Sequence, residues 1–370
     1  MIIGIDVSAV PYGTGVSNYT LNLVRHLVKI DHSNQYKFFF SSRRLKLPRE
    51  IQKLTKHQNV KIYSFHYPLK LLEFIWNRLR IFPIEYFIGQ CDVFHTSDWT
   101  QPPTRKAKSI TTVHDLVPFL FPQWSDPKIV SVHRRKMRLA LKFCRHFICV
   151  SQKTRNDLLK TFPKLEPDRT SVIYEAAEDK YGKFNDNKKT IIQKQYGLNK
   201  YFLVQGTREP RKNLKRIIEA FIKYKNKNPK SKYELAITGK YGWGEDISSF
   251  KRPDIKILGY IPERNMVALH AAAVCLVYPS LYEGFGLPVV KSLKVKVPVI
   301  TSVNSAMAEI AGSAALTVNP ESVDEITLAL EKITRDSSLR YRLIQSSRRV
   351  ASKYSWDKTA KLTLAVYQTL

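Results

Sequence analysis

The sequence predicts an α/β protein made of two doubly wound parallel sheets. Three observations lead there. Short apolar runs alternate with longer stretches of helical character, the pattern of parallel strands joined by crossover helices. The runs are almost continuously apolar, as strands buried on both faces must be. They also fall into two series, and 370 residues suffice for two domains of ~100–200 residues each. The first series lies at 2–7, 36–40, 60–65, 92–95, 109–113, 147–150 and 172–174. The second lies at 201–205, 233–238, 255–258, 274–278, 299–302 and 315–318. Between them, the polar stretch 175–200 is the expected junction. The predicted limits are 1–180 and 181–350 for the two domains, and 351–370 for a closing helix. The stretch 337–370 reads as helical, anchored by Trp356, Leu362, Leu364, Val366 and Tyr367.

Bulk properties narrow the function classes. The 44% hydrophobic content supplies two cores. Met1 opens directly into Ile-Ile-Gly-Ile-Asp-Val, a strand pattern, so no signal peptide is expected before it. No apolar run approaches the ~20 residues that span a bilayer. Cys91, Cys144, Cys149 and Cys275 are isolated and form no Cys-x-x-Cys pair, which fits free thiols in a reducing compartment. The net charge of +30 divides evenly, +15 in residues 1–185 and +15 in 186–370, so it is no basic tail. Compositional bias and attraction to a polyanion both account for such a spread.

In open parallel sheets, ligands bind beyond the carboxyl ends of the strands. Four segments there carry candidate chemistry. After the first run, Gly13 and Gly15 loosen a turn, and Thr14 or Ser17 is placed to cap the following helix. Asn18 stands where a dinucleotide fold would have a third glycine, so a plain strand-to-helix connection also fits. After 109–113 come His114 and Asp115, facing a ligand or serving the core; His95 ends another run. After 201–205 come Gly206 and then Arg211-Lys212, which enter the next helix at its positive end. Two cations there cost roughly 0.3–1 kcal/mol each, and a bound diphosphate would reverse that sign. A solvated basic turn is the alternative. After 274–278 come Glu283, Gly284, Phe285, Gly286 and Leu287. This glycine-rich turn can aim backbone N–H groups at an anion beside a helix N-terminus. No Gly-x-x-x-x-Gly-Lys-Ser/Thr loop, Gly-x-Ser-x-Gly elbow or Asp-x-Asp occurs.

Together the segment Tyr278-Pro-Ser-Leu-Tyr-Glu-Gly-Phe-Gly-Leu-Pro-Val-Val-Lys291, the run Glu209-Pro-Arg-Lys-Asn-Leu214, His114-Asp115 and the Gly13–Gly15 loop resemble the retaining glycosyltransferases of family 4. The resemblance runs from Gly4-Ile-Asp to Tyr354-Ser-Trp356. It implies the GT-B fold, two facing Rossmann-like domains with a cleft, the last helix crossing back to the first domain. The implied reaction moves a hexose, mannose or similar, from a GDP- or UDP-linked donor to a glycan or lipid-linked acceptor, with no cofactor and no metal. His114 would lie near the transferred sugar, and Glu283 would bind its hydroxyls. Gly13, Gly15, Gly206, Arg211, Lys212, Gly284, Phe285, Gly286 and Leu287 would surround the donor. In that family a second glutamate follows Glu283 after seven residues and accepts hydrogen bonds from the ribose. Here the position is Lys291, and an ammonium only donates. Three readings stay open. Lys291 contacts a phosphate, it points to solvent while another group holds the ribose, or donor binding is weakened. The last makes the chain a degenerate binding or scaffold protein.

Two stretches bear on location. Leu69, Leu72, Trp76 and Leu79 share a helical stripe with Leu71 and Ile75 beside it, and Lys70, Glu73, Asn77 and Arg80 lie opposite. That suits a core helix or one lying in a membrane interface. Residues 128–145 hold seven Lys/Arg and no acid, with Arg134, Arg138, Lys142 and Arg145 on one side. Such a stripe attracts anionic lipid. Without a helix-turn-helix, zinc or RNA-binding signature, a nucleic-acid partner is not expected. The expected location is cytoplasmic, peripheral at the inner face of the cell membrane.

Overall fold

The computed structural model describes residues 1–182, 187–244, 246, 247, 250 and 252–370. The chain forms two compact units, Met1–Glu175 with Ser355–Leu370, and Ala176–Tyr354. These limits differ by a few residues from 180/181 and 350/351, and packing explains why. Ala176, Ala177 and Tyr181 are buried in the second unit, where the Ala177 carbonyl accepts from Lys294 Nζ at 3.0 Å. Tyr354 sets its ring edge-on to Phe285 and donates to the Ile310 carbonyl at 3.1 Å.

In the first unit, seven parallel strands are described: β1 (Ile2–Asp6), β2 (Gln35–Ser41), β3 (Val60–Phe65), β4 (Val93–Thr96), β5 (Lys108–Val113), β6 (His146–Cys149) and β7 (Thr170–Val172). Their order is β3-β2-β1-β4-β5-β6-β7, so the order in which strands are added reverses between β1 and β4, which pair in parallel. Tyr36, Phe38, Phe39 and Phe40 of β2 are all buried, which neighbouring residues can be only with both faces covered. Helix α1 (Gly15–Ile30) follows β1. Thr14 Oγ1 accepts from the Ser17 N–H, while Ser17 Oγ accepts from the Thr14 N–H, so both expected capping residues act together. Helix α2 (Pro127–Phe143) begins at the Asp126 cap with proline in its first position.

The stretch from residue 69 departs from the expected regular helix. A single α-turn, Leu69–Leu72, runs into π-winding over Glu73–Arg78. The wider turn shifts the exposed face. Leu72 and Trp76 enter the core, as the stripe predicted, but Leu79 is exposed. Asn77, expected on the polar face, is buried. Its Nδ2 donates to the Trp99 carbonyl, and its Oδ1 accepts from the Gln101 N–H. Leu71, Phe74, Leu79, Ile81 and Phe82 are left exposed.

In the second unit, six parallel strands are described: β8 (Lys200–Gln205), β9 (Tyr233–Thr238), β10 (Ile255–Gly259), β11 (Cys275–Tyr278), β12 (Val299–Ser302) and β13 (Ala315–Val318). The order β10-β9-β8-β11-β12-β13 reverses between β8 and β11. Helix α3 (Leu214–Lys227) covers the sheet with Ile217, Phe221 and Tyr224 against Phe202, Leu235 and Leu330. Helix α4 (Glu263–Ala272) leads into β11, and α5 (Leu287–Lys294) leads out of it. Beyond β9, Gly239 has φ +136°, and a Cβ there would collide with the Gly206 carbonyl. The loops after β8 and β9 therefore meet backbone to backbone.

The first unit is completed by α6 (Trp356–Gln368), which packs along α1. Trp356 and Tyr367 are fully buried, and Asp357 pairs with His26 at 2.6 Å and Lys29 at 2.9 Å. All thirteen expected apolar runs correspond to these strands, with ends shifted by no more than two residues. Among the described residues, no helix is long and apolar enough to cross a membrane.

Candidate functional site

At the reversal between β8 and β11, the structure brings together Gly206, Arg211, Lys212, Glu283, Gly284, Phe285, Gly286 and Leu287. Pro210–Lys212 form a single 3-10 turn ahead of α3. Asn213 takes a left-handed conformation, φ 59°, and its Nδ2 donates to the Pro279 and Pro320 carbonyls at 3.0 and 2.6 Å. The Leu281 N–H donates to the Arg211 carbonyl at 2.8 Å. These bonds bolt the loop after β8 to the loop after β11. The side chain of Lys212 also passes over Gly206, and a Cβ there would lie 3.2 Å from its Cε.

Glu283 is the centre of the site. Its Oε1 accepts from Lys212 Nζ at 2.5 Å and from the Tyr278 hydroxyl at 2.8 Å, and its Oε2 accepts from Arg211. Arg211 also donates to Glu209 at 2.7 Å. Burial alone would raise the Glu283 pKa, but Arg211 and Lys212 outweigh it and hold the carboxyl down at about 2. Lys212 is lowered, by burial first and then by Arg211, with Glu283 opposing. Two cations and two carboxylates thus balance here.

Beside them, Gly286 caps α5 at φ +107°, and a Cβ there would stand 2.9 Å from Met307 Cγ. The Leu287 N–H lies in the first turn, where no intrahelical acceptor exists, and Pro288 has no N–H. Cations, a helix N-terminus and a glycine-bared turn therefore converge on one place, which is the chemistry of a phosphate seat.

Of the three readings left open for Lys291, the one in which it points to solvent does not hold. It is 4% exposed, one turn along α5. Its Nζ donates to Glu263 Oε1 at 3.0 Å, lies 3.8 Å from Glu178 Oε2 and stands over the Tyr181 ring at 5.1 Å. Glu263, Glu178 and Tyr181 carry no signal in the sequence. Glu178 and Tyr181 share one 3-10 turn, Asp179–Tyr181 with Glu178 as its cap, and Glu263 opens α4, so only folding brings them to Lys291.

The first unit holds the other expected residues. Gly13 and Gly15 flank the Thr14 cap after β1. His114 follows β5, with Nδ1 3.1 Å from Glu175 Oε1 and its ring edge-on to Tyr19 at 4.7 Å. The carboxylate fixes the proton on Nδ1, and Nε2 is buried with no partner among the described residues. Asp115 accepts from the Val117 N–H and so caps the next turn. His95 is structural. Its nitrogens bond the Tyr367 and Thr112 hydroxyls at 2.6 and 2.8 Å, and burial pushes its pKa down to about 3. Asp98 was not anticipated. Burial and the nearby Asp6 push it up to about 7, the range of a proton acceptor at neutral pH. It lies three residues after His95, and a lone aspartate after a strand gives no local sign of its neighbour on another strand.

Two Rossmann-like units, one carrying a cationic glycine-bared turn at its switch point, have the fold of the GT-B glycosyltransferases. A crystal structure of Anabaena HepE in complex with UDP-glucose matches all of this chain and all of that one, with TM-score 0.74 at 14% identity. Residues 13–179 match the family described as Glycosyltransferase Family 4, and residues 186–350 match Glycosyl transferases group 1. The chain is thus a glycosyltransferase that carries these two domains in series. It is 25% identical to the O-antigen chain mannosyltransferase B of Escherichia coli, over 96% of both chains. It is 28% identical to the O-antigen chain mannosyltransferase RfbU of Salmonella typhimurium, over 74% of this chain and 69% of the relative.

Proposed function

We propose that this glycosyltransferase moves mannose or a similar hexose from a nucleotide diphosphate sugar to a glycan or lipid-linked acceptor, with retention at the anomeric carbon and without a metal. The observation that carries the reading is Arg211 and Lys212 gathered on Glu283 beside the Gly286 turn. A departing diphosphate gains negative charge, and fixed cations with helix N–H groups stabilise it without reorganisation. The mannosyltransferase relatives support mannose as the sugar and a glycan as the acceptor. A panel of GDP- and UDP-linked hexoses, incubated with lipid-linked glycan acceptors, is expected to release nucleoside diphosphate with one donor. Absence of release across every donor and acceptor pair would sink the reading and favour a non-catalytic binding protein.

An anionic lipid surface at the cytoplasmic face is the further partner of this reading. Leu71, Phe74, Leu79, Ile81 and Phe82 are exposed on and beside the π-wound stretch, and the Arg80 guanidinium lies 4.4 Å from the Phe143 ring centre. Beside that crest, Arg78, Arg134, Arg135 and Arg138 line one surface hollow. Apolar crest and cationic rim together suit a bilayer interface, at about 1 kcal/mol per well-placed cation. The chain is expected to sediment with vesicles containing phosphatidylglycerol and to stay free with neutral vesicles. Replacing Phe74 and Phe82 by serine should release it. Equal binding to DNA at the same salt would redirect the charge argument to nucleic acid.

A further inference from the structure

We propose that Glu263 is the acceptor for the ribose hydroxyls of the donor nucleotide, and that Lys291 is the residue that positions it. The inference rests on the nucleotide-sugar reading above and deepens it. Glu263 opens α4, immediately beyond the end of β10. Three donors converge on one of its oxygens: Oε1 faces Lys291 Nζ at 3.0 Å, the Tyr181 hydroxyl at 3.0 Å and Lys180 Nζ at 3.3 Å. Oε2 has no partner among the described residues, and the side chain is 41% exposed. A carboxylate clamped through one oxygen presents the other in a fixed direction. Lys291 and Lys180 also keep it ionised, more than offsetting the effect of burial.

Its place in the fold is as informative as its geometry. Lys291 lies four residues after Leu287, so its backbone is ~6 Å along the helix from the phosphate seat at 1.5 Å per residue. Helices α4 and α5 are tied to each other and to β8 by one buried histidine. His270 Nδ1 bonds Ser292 at 2.7 Å, and its Nε2 bonds Gln205, the residue before Gly206, at 2.6 Å. Glu263 is therefore held on the same frame as the seat. A nucleoside diphosphate seated there carries its ribose directly next to the inner phosphate. A vicinal diol donates two hydrogen bonds and needs an acceptor with spare lone pairs. Glu209 and Glu283 are already engaged by Arg211 and Lys212, whereas Glu263 offers a whole oxygen.

Titration calorimetry on the full chain tests the assignment, with UDP and GDP against their 2′,3′-dideoxy counterparts. The native chain is expected to prefer the ribonucleotide by about tenfold to a hundredfold, as hydrogen bonds to an ionised acceptor allow. Glu263→Gln, nearly the same shape on a part-exposed side chain, should bring that ratio below about threefold while diphosphate binding persists. Lys291→Met should lower the ratio too, since the carboxylate loses its anchor, with the near-ultraviolet dichroism of the native fold retained. A native ratio surviving in Glu263→Gln overturns the proposal. So does an equal loss of affinity for both sugars, which would make Glu263 a structural ion-pair partner. If the native chain binds neither nucleoside diphosphate, the donor reading itself falls and this assignment with it. Binding without ribose discrimination removes this assignment alone.

Discussion

Replacing Glu283 by alanine is expected to cost ~3–5 kcal/mol of stability, the usual consequence of removing one partner from a buried ion pair, and to reduce sugar transfer below detection. Lys212 and Arg211 would be left facing each other in a site where burial already disfavours the charged form of Lys212. The Tyr278 hydroxyl would lose its acceptor as well. Urea unfolding of the variant checks the first part; an unchanged midpoint would refute it. The same carboxylate sets an acid limit. Its folded pKa, about 2, lies below its ordinary 4.5, so its contribution is fully present above pH 4.5. That contribution is lost as the pH falls from 4.5 towards 2. In Glu283→Gln the unfolding free energy should therefore depend less steeply on pH across that window than in the native chain.

Lys291→Glu restores the acid usual in the family, yet it is expected to damage this protein. The new carboxylate would be buried beside Glu263 and Glu178, with Lys291 no longer there to balance them. Lys291 is buried but the Glu263 side chain is 41% exposed, so solvent screens part of the repulsion and the loss should be ~1–3 kcal/mol. Adding Glu263→Lys re-forms an ion pair of opposite polarity and should recover more than half of that loss. The double-mutant cycle isolates this coupling because the two side chains touch. A single Lys291→Glu variant as stable as the native chain would mean the pair does not hold α4 to α5.

Much of this architecture was legible because strands of a parallel sheet, covered on both faces, write continuous apolar runs. Val299-Ile-Thr-Ser302 and Phe38-Phe-Phe40 are such runs, and each became a strand. The turn at Glu283–Leu287 was legible for a different reason. Its glycines, its acid and the helix it starts are contiguous. What stayed hidden depends on distant partners. Nothing around His114 points to Glu175, 61 residues on. Nothing near Lys291 points to Glu263, 28 residues back. The π-winding at Glu73–Arg78 was hidden as well, because a 3.6-residue period cannot register the wider turn that buries Asn77.

The helix Trp356–Gln368 gives the molecule an order in time. Its Trp356 lies against Tyr19, and its Tyr367 bonds His95, yet both partners are translated hundreds of residues earlier. On the ribosome, the first unit must wait with that groove along α1 unfilled. Ala176–Tyr354 is continuous and can close its own core meanwhile. The part begun first is therefore the part finished last.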